Sequence, residues 1–367
     1  MENEKLNTIE DFAAYVKDHI FDNAPDMADN HKAEIKDVLK NNGLVLHGLT
    51  IKQTDKNDGA QITPTLYLEK FFDQFKDGDP IGEILDKILD IYENHKAPKN
   101  ISVDFFKDYS QVSERLSIKV INYDMNRDFL KDVPHYKYGD LAAIFQVQVN
   151  QQEYGTMTVT VKNENMKSWN VTAEDMLAAA TINMEEKQPP RITGMFEVLN
   201  ELMGMDMPGM EMPEDPGMYV MSNESKMNGA AGIIFTEKLQ EFADEKGADL
   251  FILPSSLHEL ILVPDQGNMN AADLKAMVQE VNATQLEPED RLSNNVYLYD
   301  RTDKQLMIAD TKEPLKLQDM TKDQAKSQDK DKPKSIKDRL EEGKAKVAAK
   351  ALEPKPVKDK VKQKSIE

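Results

Sequence analysis

The sequence predicts an α+β fold, in which helices and strands intermix without the regular alternation of a parallel α/β protein. Two observations carry this prediction. Apolar residues recur at helical spacing in some segments and alternate in others, and the two kinds of segment follow one another irregularly along the 367 residues. In addition, 40% of the residues are hydrophobic and 7% are aromatic, which is enough for sizeable cores. Wholesale disorder is therefore excluded.

The charge balance and the cysteine count exclude several classes of protein. The chain has 66 acidic and 46 basic residues, a formal charge of −20, which argues against a protein that coats DNA through a basic surface. It has no cysteine, so disulfides, thiolate metal sites and cysteine nucleophiles are excluded. Residues 1–15 are polar and acidic, and no apolar run reaches the ~18 residues of a membrane span. We therefore expect a soluble cytoplasmic protein that does not associate with membranes.

The predicted N-terminal domain covers residues 1–202. It begins with a helix over residues 8–21, for which Thr8 is the expected cap. A hairpin follows, because Asn and Gly at residues 41–43 tolerate positive φ and favour a turn between two β-type runs. The other predicted elements are a strand at 65–68 that leads into a helix, a helix opened by Pro80, strands within 133–149 and at 156–161, and helices at 172–182 and 194–202.

A Met/Pro/Gly segment at residues 203–217 is predicted to link this domain to a second one. Its three prolines and three glycines disfavour both helix and strand. Its methionines suggest a soft Cu(I) site as an alternative, but no His or Cys accompanies them, so a plain linker is favoured. The second domain, residues 218–310, is predicted to contain strands at 219–221, 230–235, 250–253, 260–263, 296–299 and 306–308, and helices at 236–246 and 270–281.

Residues 311–367 are predicted to form a disordered, charged tail. Between residues 321 and 367 there are 15 basic residues, 9 acidic residues and no aromatic one, so this part carries +6 and the rest of the chain −26. A segment with so few large apolar side chains cannot offset the entropy of ordering its backbone. Its lysines could support weak association with nucleic acid, although the interspersed acidic residues reduce that attraction.

The candidate functional residues lie in one loop between two apolar strands. The loop brings two hydroxyls, an imidazole and a carboxylate within a few residues of one another: Ser255, Ser256, His258 and Glu259. We expect this loop to bind a ligand or a protein partner. One alternative is a hydrolase, in which a serine attacks, His258 takes its proton and an acid orients the imidazole. The other is a purely structural loop, whose side chains hydrogen-bond the backbone.

The sequence carries no complete motif for a metal ion, a nucleotide or another cofactor. The glycine loop at residues 204–209 has Met210 where a phosphate-binding loop needs lysine, and the pair His258-Glu259 has Leu262 where a zinc motif needs a second histidine. We therefore expect neither a metal site nor a cofactor. His135 and Asp140 form a second, weaker polar cluster, for which a structural role is favoured.

Five separated phrases resemble an uncharacterised domain family of gut Firmicutes. They are KNNGLVLHGLTI at 40–51, DVPHY at 132–136, MYVMSN at 218–223, LPSSLHE at 253–259 and EVNAT at 280–284. The resemblance covers about residues 6–309 and implies no established activity. The phrase KPKSIKDRL at 332–340 resembles the tails of proteins encoded on conjugative elements, which implies a mobile-element context. Together with the absence of a complete catalytic motif, these observations predict a non-enzymatic accessory protein that binds a protein partner.

Overall fold

The structure is a computed structural model that describes residues 6–54, 64–94, 104–152, 155–203 and 217–320. The described residues form three antiparallel sheets with helices packed against them. The α+β prediction is therefore confirmed. None of the helices in these ranges has the length and apolar character that a membrane crossing needs.

The first sheet and four helices form an N-terminal unit with its own core. The elements are α1 (Ile9–His19), α2 (Pro25–Ala28), β1 (His31–Leu39), β2 (Val45–Gln53), β3 (Thr65–Tyr67), α3 (Glu69–Lys76) and α4 (Ile81–Asn94). Thr8 caps α1 as predicted, because its hydroxyl accepts a hydrogen bond from the Asp11 N–H at 3.2 Å. The sheet, in the order β1-β2-β3, buries one apolar face against α1, α3 and α4 through residues such as Phe12, Leu49 and Ile88.

The predicted hairpin turn between β1 and β2 is confirmed. Leu39 pairs with Val45 at its base, and the turn itself is a short 3-10 segment at Asn41–Gly43. Asn42 has φ 60° and Gly43 has φ 73°, so the two residue types that tolerate the left-handed region occupy it. The turn projects away from the first sheet and towards the rest of the molecule.

The second sheet lies at the centre of the chain and is built around its longest strand. The elements are α5 (Tyr109–Ser113), β4 (Leu116–Asn122), α6 (Arg127–Leu130), β5 (His135–Tyr138), β6 (Leu141–Gln152), β7 (Gly155–Thr160), α7 (Asn163–Trp169) and α8 (Ala173–Lys187). The strand order is β14-β5-β6-β4, in which β14 is Leu317–Asp319, and β7 also pairs with β6. Helix α8 covers one face, where Phe145 and Val147 are fully buried and the Met184 sulfur accepts a hydrogen bond from the Ile118 N–H. The opposite face of the sheet carries Lys119, Ile144 and Gln146.

The third sheet has six strands and contains most of the C-terminal part. Its elements and their flanking helices are β8 (Arg191–Gly194), α9 (Met195–Met203), β9 (Tyr219–Ser222), α10 (Thr236–Lys246), β10 (Leu250–Leu253), β11 (Leu260–Pro264), α11 (Ala271–Thr284), β12 (Tyr297–Asp300) and β13 (Gln305–Ile308). The order is β13-β12-β10-β11-β9-β8. The loop with the candidate residues therefore connects two neighbouring strands, β10 and β11, at the middle of the sheet.

Strand pairing and packing do not follow the predicted domain division. Residues 204–216 lie outside the described part of the chain, but the strands on either side of them are neighbours, with Arg191 opposite Ser222 in the β8–β9 pair. One continuous core also joins the second and third sheets, whereas the N-terminal unit has a separate core. Independent folding of residues 1–202 and 218–310 stays a prediction, yet the separate cores divide the chain near residue 100.

The start of the predicted tail needs correction. Leu315 is buried, and β14 (Leu317–Asp319) pairs with β5, placing Leu317 opposite Tyr138. Residues 311–320 therefore belong to the folded part, because their apolar side chains complete the edge of the second sheet. The remaining tail, residues 321–367, lies outside the described residues.

One further prediction about the third sheet is corrected. Residues 230–235 were expected to form a strand, but Gly229–Ile234 is a 3-10 turn. The turn packs closely against β9, since a Cβ at Gly229 would clash with Ser222 and one at Gly232 would meet Met221 at 3.1 Å. Strands β4 and β14 of the second sheet and β8 of the third are not among the predicted elements.

Candidate functional site

Backbone hydrogen bonds hold the predicted loop, residues 253–259, in one conformation. The Ser256 N–H donates to the Glu259 carbonyl at 3.2 Å, which closes a turn within the loop. The Leu257 N–H donates to the Asp290 carbonyl at 3.0 Å, and the Leu257 carbonyl accepts from the Ala230 N–H at 3.2 Å. These bonds fix the loop against two other connecting segments of the third sheet, one at Ala230 and one at Asp290.

The two serines are not placed as nucleophiles. Ser256 is buried, and its hydroxyl oxygen accepts the His258 backbone N–H at 3.0 Å, which is a local turn contact. No hydrogen bond of the described residues joins the hydroxyl of Ser255 or Ser256 to the His258 ring. Glu259, the fourth predicted residue, is half-buried and does not line the cleft described below.

Both ring nitrogens of His258 are directed at other groups. Its Nδ1 accepts a hydrogen bond from the Asn228 backbone N–H at 3.2 Å, which assigns the proton of the neutral ring to Nε2. Nε2 lies 3.5 Å from the Asp290 Oδ1. The Ser222 hydroxyl donates to the His258 carbonyl at 2.7 Å, so the residue is held from several sides. The imidazole faces an acid, and in the described part of the chain neither Ser255 nor Ser256 donates its hydroxyl to the ring.

His258 lines a polar cleft with a volume of about 340 Å³. Three parts of the chain meet there: the β1–β2 turn, the face of the second sheet that α8 leaves free, and the loops that carry His258 and residues 288–290. The ionisable residues of the lining are Lys40, Lys119, His258, Glu289 and Asp290. Because each part of the chain contributes at least one of them, the cleft exists only in the assembled fold.

Lys119 lies on the floor of the cleft, in the middle of β4. The alternation of the strand places Ile118 and Val120 in the core and turns Lys119 to the opposite face, beside Ile144 of β6. Within the described part of the chain, the Lys119 ammonium makes no hydrogen bond and no ion pair within 4 Å. Burial is the main reason that the pKa of Lys119 is lowered, and the neighbouring Lys40 lowers it further. Lys119 is therefore a partly desolvated cation with a free hydrogen-bonding head.

The other charged groups of the cleft are arranged in pairs. The Lys40 ammonium lies 4.0 Å from the Glu289 carboxylate and over the Tyr67 ring, 4.4 Å from its centroid. His258 faces Asp290, as described above. Among the described residues, Lys119 is the ionisable residue of the lining whose head group has neither a hydrogen bond nor an ion pair within 4 Å, although Glu289 and Asp290 are near enough to offset part of the lowering of its pKa.

An asparagine junction anchors the β1–β2 turn at the edge of the cleft. The Asn42 side-chain amide donates to the carbonyls of Pro288 and Arg291, at 2.8 and 2.7 Å. Asn42 and Asn126 also bond reciprocally, since the Asn42 N–H donates to the Asn126 Oδ1 at 2.9 Å and the Asn126 amide donates to the Asn42 Oδ1 at 3.0 Å. Asn41 adds a bond to the Glu289 carbonyl at 2.7 Å. The turn thus fastens the N-terminal unit to the two other sheets.

The second predicted cluster separates into two structural contacts. His135 is buried, its pKa is lowered mainly by burial, and its Nδ1 donates to the Val133 carbonyl at 2.8 Å. Asp140 instead accepts three hydrogen bonds, from the Ser293 hydroxyl at 2.5 Å, the Asn295 amide at 2.9 Å and the Tyr297 hydroxyl at 2.9 Å. Asp140 therefore links the second sheet to the third.

Comparison with known proteins identifies a family for this chain. Within the described residues, no group of three or more His, Asp or Glu side chains is positioned to hold a metal ion. No curated protein and no solved structure is similar enough to this chain to count as a match. A family model does match, over residues 9–301, which include the cleft, the asparagine junction and the His258 loop. By that match over most of its length, the chain belongs to DUF5688, a family of unknown function.

Proposed function

We propose that this protein is a non-enzymatic binding protein and that its protein partner contacts the cleft around His258 and Lys119. The observation that carries the proposal is the ammonium of Lys119 on the cleft floor, which in the described part of the chain makes no hydrogen bond and no ion pair within 4 Å. A half-buried cation without a partner costs stability, and such groups are retained where they serve a function.

The hydrogen bonds around His258 support binding over hydrolysis. A serine hydrolase needs a hydroxyl that gives its proton to the ring, but here the ring Nδ1 accepts from a backbone amide and the Ser256 hydroxyl accepts from the backbone of His258 itself. We therefore retain His258 as a binding residue and assign Ser256 to the support of its loop.

The rim of the cleft supports a macromolecular partner. Leu39 and Met227 line it and are exposed by 45% and 50%. Exposed apolar side chains next to a polar cleft are typical of protein-binding surfaces, in which methionine is enriched. A cytoplasmic location and a mobile-element context belong to the same proposal and rest on the sequence alone. Weak nucleic-acid association through the basic tail is a separate possibility, carried by residues outside the described part of the chain.

Site-specific photocrosslinking in the native cell tests the proposed contact. A benzophenone amino acid at Met227, on the cleft rim, is expected to give a discrete covalent adduct with one protein. The same amino acid at Met277 is the matched control, since Met277 is equally exposed, at 53% against 50%, but lies on α11 away from the cleft. An adduct from Met277 and none from Met227 would move the partner to another surface and overturn the proposal. Absence of an adduct from both positions would remove the protein-partner function.

A further inference from the structure

We infer that the cleft takes a single carboxylate carried on an apolar body, with the carboxylate against the Lys119 ammonium. This inference rests on the proposed function only in using the same cleft. Three features of the lining support it: the free ammonium of Lys119, the neutral donors beside Lys119, and the apolar walls.

The charges of the lining favour a monoanion. The Lys40 ammonium lies 4.0 Å from Glu289 and the neutral His258 ring faces Asp290, whereas the Lys119 ammonium has no hydrogen bond or ion pair within 4 Å in the described part of the chain. A phosphate dianion or a nucleic-acid backbone would bring two or more negative charges close to Glu289 and Asp290, within a body that carries −26 outside the tail. One carboxylate matches the single free cation.

Neutral hydrogen-bond donors stand on the strands next to Lys119. Gln146 of β6 and Thr160 of β7 are direct neighbours across the pair of strands, and both line the cleft. The Gln146 Oε1 accepts from the Asn228 side chain at 3.2 Å, which leaves the amide N–H groups of Gln146 as donors. Thr158 and Thr160 add two hydroxyls on the same face. A carboxylate has two oxygens to satisfy, and this face can supply a cation and neutral donors together.

The remaining walls are apolar. Ile121, Ile144 and Leu257 are buried at the cleft, and Phe129 and Leu39 continue the same wall towards the rim. A volume of about 340 Å³ far exceeds what an inorganic ion fills, since a water molecule occupies ~30 Å³ of the liquid. The ligand therefore carries an apolar group of roughly amino-acid size beside its carboxylate. A free small acid and the C-terminal residue of a protein chain both have this chemistry.

Titration calorimetry with matched probes tests the inference on the full chain. N-acetyl-leucine is expected to bind, and its neutral amide, N-acetylleucinamide, is expected to bind about tenfold more weakly or worse, because the amide loses the charge that pairs with Lys119. Equal affinity for the two probes, or binding of neither, would overturn the inference. Tighter binding of inorganic phosphate than of N-acetyl-leucine would also overturn it.

Variants of Lys119 separate the charge from the fold. Lys119→Met keeps the length of the side chain and is expected to weaken N-acetyl-leucine binding about tenfold or more, whereas Lys119→Arg is expected to retain most of it. Lys52→Met is the control, since Lys52 is also a half-exposed strand lysine but is paired with Glu34 at 2.6 Å; it should leave binding unchanged. Unchanged binding in Lys119→Met would contradict the inference.

Two further comparisons identify the source of the carboxylate and separate the carboxylate inference from the proposed protein-binding function. A peptide that ends in a free leucine carboxylate should bind more tightly than N-acetyl-leucine if the natural ligand is a chain end, and equally if it is a small acid. In both cases the inference requires that binding depends on the free carboxylate of the probe. If the adduct at Met227 forms but N-acetyl-leucine does not bind, the protein-binding function stands and the carboxylate inference fails. If N-acetyl-leucine binds but no adduct forms at Met227, the carboxylate inference stands and the protein-binding function fails.

Discussion

Asn42→Ala is expected to lower the free energy of unfolding by about 2–4 kcal/mol. The substitution removes two donors, to the carbonyls of Pro288 and Arg291, and the acceptor for the Asn126 amide. It also places alanine at φ 60°, a conformation that asparagine tolerates better. Denaturant titration of the purified variant measures the loss.

Two control variants separate the hydrogen-bond and backbone contributions to the loss of stability in Asn42→Ala. Asn42→Gly removes the same hydrogen bonds but accepts the positive φ, so it should lose less than Asn42→Ala. Lys312→Ala replaces an exposed residue with a similar φ of 58° and should change stability by less than about 0.5 kcal/mol. If Asn42→Ala leaves the free energy of unfolding unchanged, the asparagine junction does not hold the N-terminal unit in place.

Asp140→Ala is expected to cost about 3–5 kcal/mol of stability. Without the carboxylate, three donors lose their acceptor, and one of them, the Tyr297 hydroxyl, is fully buried. Burial first and the Asp140 carboxylate second raise the pKa of Tyr297, so its hydroxyl remains protonated and needs an acceptor. Asp303→Ala, at an exposed turn residue, is the control and should be close to neutral.

A double-mutant cycle checks the Asp140 prediction. Tyr297→Phe alone should cost about 1–1.5 kcal/mol, the usual net contribution of one hydrogen bond. In the Asp140→Ala background the same change should cost less or even stabilise, because it removes a buried hydroxyl that has already lost its partner. Additive losses in the cycle would mean that the two side chains stabilise the fold independently.

Local patterns in the sequence predicted much of the fold. The Thr8 cap, the Asn-Gly turn and the strands on either side of the His258 loop each depend on neighbouring residues, and each forms as predicted. Strand β4 was within reach of the same reasoning, since Leu116, Ile118 and Val120 alternate with more polar residues. This alternation predicts that Lys119 lies on the face of the strand opposite to the core.

The cleft itself depends on contacts that no local pattern contains. Asn42 meets Asn126, 84 positions away, and Pro288, 246 positions away. An Asn-Asn-Gly turn is fully explained by hairpin geometry, so nothing in the segment indicates that its side chains also bind other sheets. In the same way, a lysine on the polar face of a strand normally faces water. Lys119 faces a cleft because residues 227–228 and 257–258 fold over that face.

The structure places the predicted loop between its two strands but separates the four candidate side chains. His258 lines the cleft as a binding residue would, but its neighbours Ser255 and Glu259 do not. Sequence proximity suggested that all four residues act together, whereas the turn within the loop directs their side chains to different places. The residues that join His258 in space come from other parts of the chain: Lys119, Asn228 and Asp290.

The central claim is that Lys119 is kept unpaired for a ligand, and the stability of Lys119→Met tests it most directly. A lysine whose pKa is lowered by burial binds its proton less tightly in the folded chain than in the unfolded chain. The folded state therefore pays for the charge at neutral pH, and the penalty fades as the pH rises towards the ordinary value of 10.5. Lys40 adds to this penalty, while Glu289 and Asp290 offset part of it.

Unfolding titrations of the ligand-free protein should thus show Lys119→Met to be more stable than the wild type at pH 7, by about 0.5–2 kcal/mol. The difference should shrink as the pH approaches 10. Lys52→Met, which breaks the ion pair with Glu34, should shift stability slightly in the opposite direction. If Lys119→Met is instead less stable than the wild type at pH 7, Lys119 supports the fold and the account of the cleft as a ligand site is contradicted.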